Sequence, residues 1–270
     1  MENKCIVLCG CTKNSSGYIY RNLENLYNIK SLCKEFHVVL FENDSSDTTK
    51  HVLKKFRDSH PNVHLIFDTL NGKISTPETT KPYSRYVQKP LNLMYSRNAL
   101  LSYVRTHFLD FDYMIMVDLD SVIRDFKTSI INEVIEKYQY DSWDALTANS
   151  DKKYYDIWAL RIHHDVWNPD LHGRLWKDPI DYDCWMMRDK NKSVNANQIC
   201  VPHNSPLIPV NSAFGGLGIY KISSIENCMY NAEYDGSLTC EHVYFHNEMI
   251  KKGCKIFICP SLIVKSQCRN

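Results

Sequence analysis

Three apolar runs, KCIVLCGC (4–11), HVVLFE (37–42) and NVHLIF (62–67), are separated by segments of helical period. A strand needs an uninterrupted apolar run when both of its faces are covered, as in a parallel sheet sandwiched between helices. Between the first two runs, Leu23, Leu26, Tyr27 and Cys33 recur near helical spacing. Between the second and third, SSDTTKHVLKKFRDSH opens on Ser45, Ser46 and Asp47, whose side chains can accept from the free N–H groups of a helix start. This order predicts right-handed βαβ units and a parallel sheet.

The remaining chain keeps the same rhythm with two breaks. Residues 68–90 are polar, with three prolines and little periodicity, which predicts a long functional loop. LNLMYSRNALLSYVRTHF (91–108) predicts a helix, FDYMIMVDLDSV (111–122) a strand, 127–138 a helix and DALTAN (144–149) a strand. Residues 162–206 are irregular and rich in Trp, Asp, His and Pro, and read as a specificity insert; its Trp167, Trp176 and Trp185, with Trp158 just before it, either stack on sugar rings or anchor a core. VNSAFGGLGIYKI (210–222) reads as a glycine turn feeding a strand, CEHVYFHNEMIKKG (240–253) as a helix and CKIFICP as a closing strand. At 270 residues, this fits one α/β domain or two intimately joined halves.

The acidic residues are placed where a sheet binds ligands. In VDLD, Asp118 and Asp120 are two residues apart on a strand and so share a face, with their carboxylates roughly 6–7 Å apart. A hydrophobic core has no use for such a pair, whereas Mg²⁺ or Mn²⁺ takes hard oxygens, often one or two carboxylates together with phosphate oxygens. The pair also falls at the carboxyl end of a presumed parallel strand, where open α/β sheets bind their ligands. A second group, Glu42, Asp44 and Asp47, follows HVVLFE. Glu42 and Asp44 are the candidates to accept from a base imide or ribose hydroxyls, and Asp47 reads as a helix cap.

Near the carboxyl end, His242 and His246 share a helix face, and either could be a third metal ligand. Glu241 beside them could take a proton from an acceptor hydroxyl, with Asp181 and Asp183 in IDYDCW as rivals. The net charge of +1 gives no bulk field for nucleic acid or an anionic membrane. No run approaches the length of a membrane span and the N-terminus lacks a basic leader, so a soluble cytoplasmic protein is expected. The 11 cysteines show no framework and read as reduced thiols.

Taken together, CGCTKN, FENDSSDTT, YSRNALL, YMIMVDLDS, FGGLGIYK and CEHVYFH resemble the GT-A glycosyltransferases that use nucleotide sugars and a D-x-D motif. The set is most similar to the small soluble enzymes of large DNA viruses and to fungal capsule mannosyltransferase-like proteins. The resemblance covers most of the chain. It implies a Rossmann-like, mixed but mainly parallel sheet flanked by helices in a single domain, with a donor half (1–122) and an acceptor and catalytic half (123–270).

The resemblance also implies roles. Thr12 and Asp44 would meet the base with help from Glu42, and Arg97 would reach the diphosphate or brace the D-x-D loop. Asp118 would meet ribose or metal and Asp120 the metal, while Gly215 and Gly216 would let backbone approach the donor sugar. The implied activity is Mn²⁺- or Mg²⁺-dependent transfer of a hexosyl or pentosyl group from a UDP-sugar to a glycan or glycoprotein hydroxyl, with inversion favoured. The E-D pair of many inverting members is replaced here by Glu-His. A sugar-nucleotidyltransferase and a non-catalytic sugar- or metal-binding module are the alternatives.

Overall fold

The computed structural model describes the chain except residues 72–73, 75–83, 155, 163–197, 235–236 and 266–270. In order, its elements are β1 (Cys5–Thr12), α1 (Ile19–Tyr27), β2 (Glu35–Asn43), α2 (Thr49–Ser59), β3 (Val63–Asp68), α3 (Ser84–His107), β4 (Tyr113–Asp118) and α4 (Ser129–Lys137). Then come β5 (Ala145–Ser150), β6 (Arg161–Ile162), β7 (Ile208–Ser212), β8 (Leu217–Lys221), α5 (Ile222–Ile225), β9 (Glu233–Tyr234), β10 (Ser237–Leu238), α6 (Glu241–Lys251) and β11 (Ile256–Val264).

Among the described residues, nine strands form one sheet in the order β3-β2-β1-β4-β8-β5-β11-β7-β6. The first four are mutually parallel. β8 runs antiparallel between β4 and β5, β11 is parallel to β5, and β7 is antiparallel to β11. The sheet is therefore mixed, with a doubly wound parallel half at its amino-terminal side. β1 shows why the strands read as continuous apolar runs. Ile6 and Leu8 pack with Leu23, Leu26, Leu53 and Phe56 of α1 and α2. Val7 and Cys9 point to the opposite face, with Leu100, Leu101 and Val104 of α3 and Phe245 and Met249 of α6.

The structure corrects the sequence reading in three places. The strand read over 111–122 ends at Asp118, and Asp120 lies beyond it at the start of a 3₁₀ turn (Ser121–Ile123). α3 starts at Ser84 rather than 91 and runs through Pro90. That proline lies in the second turn, where its missing N–H removes a single ladder bond and the helix continues. The closing strand extends past Pro260 to Val264 through a register shift between Cys259 and Ile263, a position where proline is tolerated. Asp47 does hold the start of α2, since its Oδ1 accepts from Thr49 N–H at 2.9 Å. Among the described residues, no helix is long and apolar enough to cross a membrane.

Candidate active site

The carboxyl ends of β1, β2 and β4 lie side by side, and the chain leaves β1 toward β2 on one side and reaches β4 on the other. This reversal of strand order opens a crevice between the first and fourth strands. The loops after β1 and β2 are tied together at this edge. Asn14 N–H donates to Ser45 Oγ at 2.9 Å, and Ser46 N–H donates to Asn14 Oδ1 at 2.8 Å. Ser15 N–H reaches Thr49 Oγ1 at 2.8 Å, and Ser16 Oγ donates to Asp47 Oδ2 at 2.8 Å. Thr12 is nearly buried and hydrogen-bonded to Ser15.

The acids after β2 have separate placements. Glu42 is fully buried: its Oε1 accepts from Ser45 N–H at 2.8 Å and Lys50 Nζ lies 3.5 Å from Oε2. It braces its own loop from below. Asp44 takes a left-handed backbone, φ +53°, and its Oδ2 accepts from Leu70 N–H at 3.0 Å and from Asn43 Nδ2 at 3.1 Å. Partial burial pushes the Asp44 carboxyl up, but these hydrogen bonds and Lys13 outweigh it and hold the group below the ordinary aspartate range.

Asp118 ends β4, and its backbone N–H donates to Gly216 O at 2.9 Å, so the D-x-D stretch is fastened to the glycine loop between β7 and β8. Gly215 and Gly216 both have left-handed φ, +67° and +87°. Asp120 accepts from Val122 N–H at 2.9 Å through Oδ1 and so starts a 3₁₀ turn (Ser121–Ile123). Its carbonyl accepts from Asn22 Nδ2 at 2.9 Å.

Arg97, on α3, joins the two ends of the chain. Its Nη2 donates to Asp118 Oδ1 at 2.9 Å and its Nη1 pairs with Glu241 Oε1 at the start of α6. The guanidinium is almost wholly buried and lies against two rings, 5.0 Å from the Phe214 centroid and 5.8 Å from that of Tyr230. Burial pushes the Asp118 carboxyl up to about 6, with Asp120 and Asp156 adding to the rise and Arg97 and Lys89 opposing it. The Asp118 side chain keeps 34% of its surface open, so water screens part of this field.

The two histidines of α6 occupy different environments. His246 is fully buried, with Nδ1 bonded to Ser212 Oγ at 2.9 Å and Nε2 to Tyr220 hydroxyl at 3.0 Å. Both ring nitrogens are engaged, which leaves no lone pair for a cation in this arrangement. His242 is stacked on Phe214 with centroids 3.8 Å apart, its Nε2 lies 4.0 Å from Glu241 Oε1, and neither ring nitrogen has a hydrogen-bond partner. Burial, then Arg97, then His246 push its pKa well below the ordinary histidine value, so the ring is neutral.

Asp156, between β5 and β6, also belongs to this cluster. Its Oδ2 accepts from Gly215 N–H at 3.2 Å. Burial raises its pKa, while the Gly215 N–H, Arg97, the Ala159 N–H and Lys89 lower it. The acid in YYDIWALR carried no spacing signal. Lys89, whose charge acts on both Asp118 and Asp156, sits in the stretch read as loop. Asp181 and Asp183 lie outside the described residues, as do Trp167, Trp176 and Trp185.

Among the described residues, no three metal-ligating side chains converge. A divalent cation at the D-x-D edge would therefore take at most the Asp118 and Asp120 carboxylates from these residues, with diphosphate and water oxygens completing its shell. The donor set fits such an ion: both groups are hard carboxylates, and burial penalises the negative charge of Asp118 by more than Arg97 offsets.

No family model matches the chain, and no curated protein matches it in sequence. Solved structures match in fold. A mannosyltransferase, PcManGT from Pyrobaculum calidifontis, in complex with GDP-Man and Mn²⁺, aligns with 100% of this chain at a TM-score of 0.57 and 10% identity. S. aureus TarS 1-349 in complex with UDP-GlcNAc aligns with 98% at a TM-score of 0.52 and 13% identity. The chain spans 59% of the length of each. At this identity the likeness is one of fold: a mixed α/β sheet with flanking helices, of the kind these nucleotide-sugar-bound proteins possess.

Proposed function

We propose that this chain is a metal-dependent glycosyltransferase that moves a sugar from a nucleoside diphosphate, UDP for preference, to a hydroxyl of a glycan or glycoprotein. The observation that carries the reading is the placement of Asp118. It is a carboxylate with a raised pKa at the carboxyl end of a central strand, fastened through its backbone to a glycine turn and through its side chain to a buried arginine. The solved structures with this fold hold GDP-Man with Mn²⁺ or UDP-GlcNAc, which supports the same use of the crevice here.

In this reading the stitched loops after β1 and β2 receive the base and ribose, with Thr12 and Asp44 as their polar groups and Glu42 bracing the second loop from beneath. Asp118 and Asp120 hold the cation, which when bound supplies Lewis-acid stabilisation of the leaving diphosphate. Gly215 and Gly216 admit the donor sugar. Glu241 is the proposed base for the acceptor hydroxyl, with Asp183 as its rival. Residues 1–122 form the donor half and 123–270 the acceptor half.

Calorimetry with UDP and GDP, each with Mn²⁺ or with EDTA, tests the reading directly. Wild-type protein is expected to bind UDP with Mn²⁺ and to hydrolyse a UDP-sugar slowly without acceptor. Asp118→Asn is expected to remove the metal-dependent part of both. Mn²⁺-dependent binding that survives unchanged in both Asp118→Asn and Asp120→Asn would overturn it.

A further inference from the structure

Arg97 makes two ionic contacts that the proposed chemistry cannot use at once. One nitrogen holds Asp118 of the D-x-D stretch and another holds Glu241. In this arrangement Glu241, only 2% exposed, has its charge committed to a guanidinium. A carboxylate held in this way is poorly placed to take a proton from an incoming hydroxyl.

Three further features say that this is a resting arrangement. Arg97 is buried, yet its Nε has no acceptor, so one of its five donors is unused in a place where an unmet donor is costly. His242, beside Glu241, has both ring nitrogens unpartnered, and so does the buried Tyr230 hydroxyl, whose ring lies edge-on to His242 with centroids 5.4 Å apart. The side chains around Glu241 thus contain buried polar atoms without a hydrogen-bond partner. Phe214 and Tyr230 also cover the guanidinium and favour hydrogen bonding through its edge, where a planar anion or a phosphate is matched best.

We propose that Arg97 is a positioning residue that gates Glu241: an arriving nucleoside diphosphate and its cation draw the guanidinium toward the donor side and release the Glu241 carboxylate. The site then becomes competent for an acceptor only after the donor is seated, and an acceptor alone meets a blocked base. The gate rests on the reading of the crevice as a nucleotide-sugar site. It is a coupling between two places on the protein, and so it must show in binding as well as in turnover.

Two measurements test it on the full chain. In the first, carboxyl groups of wild-type protein are labelled with a water-soluble carbodiimide and an amine, and Glu241 is followed by mass spectrometry with and without UDP–Mn²⁺. Labelling is expected to rise several-fold when UDP–Mn²⁺ is bound, and unchanged or reduced labelling overturns the gate. In the second, calorimetry compares UDP–Mn²⁺ binding to wild type and to Glu241→Gln. Removing the competing partner of Arg97 is expected to tighten binding several-fold while turnover falls. Equal or weaker binding by Glu241→Gln overturns the gate even where wild type binds well. If wild type itself takes up no UDP–Mn²⁺, the nucleotide reading fails and the gate falls with it.

Discussion

Gly215→Ala offers the sharpest test of how the glycine loop is built. At φ +67° an L-residue pays about 1–2 kcal/mol for the left-handed backbone. An added Cβ would also lie 2.4 Å from Ala148 O and 3.1 Å from Ala148 C. Ala148 sits in β5, between β8 and β11, and its backbone cannot retreat the roughly 1 Å needed for ordinary contact in a close-packed interior. The loop must move instead, which strains the Gly215 N–H bond to Asp156 and adds about 1–3 kcal/mol of overpacking. The expected total is about 2–5 kcal/mol.

Gly253→Ala is the matched control. Its φ is +80° and its Cβ would meet nothing within 4 Å, so only the backbone cost of about 1–2 kcal/mol applies. Urea unfolding of the two variants and wild type, compared at unchanged m-value, isolates the difference. Because Gly216 O holds Asp118 N–H, Gly215→Ala is further expected to weaken UDP–Mn²⁺ binding, and Gly253→Ala to leave it alone. Losses that agree within about 0.5 kcal/mol would refute the reasoning, since the contact with β5 would then cost nothing measurable.

Other consequences follow from buried polar groups. Burial pushes His246 down to about 3, below its unfolded value near 6.5, so the unfolded chain binds this proton first. Stability should therefore fall as pH drops from about 6.5 toward 3, by about 1.4 kcal/mol per unit from this group, and His246→Gln should flatten part of that slope in urea unfolding at stepped pH. Asn149 is fully buried, with Nδ2 donating to Val201 O at 2.9 Å and Pro260 O at 3.2 Å. Asn149→Asp would set an acceptor against both carbonyls and is expected to cost about 2–3 kcal/mol or more at neutral pH, with partial recovery in acid as the new carboxyl protonates.

What could be read in the chain depended on whether the signal was local. β1 and β2 were legible because a strand covered on both faces must be apolar throughout, and Asp118 because an acid that closes such a run stands at the strand's tip; Asp120 lies past the end of β4, where the period of two no longer fixes its face. Asp47 was legible as a cap for the same local reason. The Arg97–Glu241 contact was not, because its partners are 144 residues apart and meet only when α3 and α6 settle on one face of the sheet. Nor did the spacing of His242 and His246 separate their surroundings: one ring meets Ser212 and Tyr220, while the other lies on Phe214 with its nitrogens unmet. Glu42 looked as available for a ligand as Asp44, yet it is buried beneath its loop, because it still lies within β2 while Asp44 follows the strand's last residue with a left-handed backbone. Type and spacing place a carboxylate at an edge, but whether it meets ligand or backbone depends on which distant N–H or guanidinium the fold brings to it.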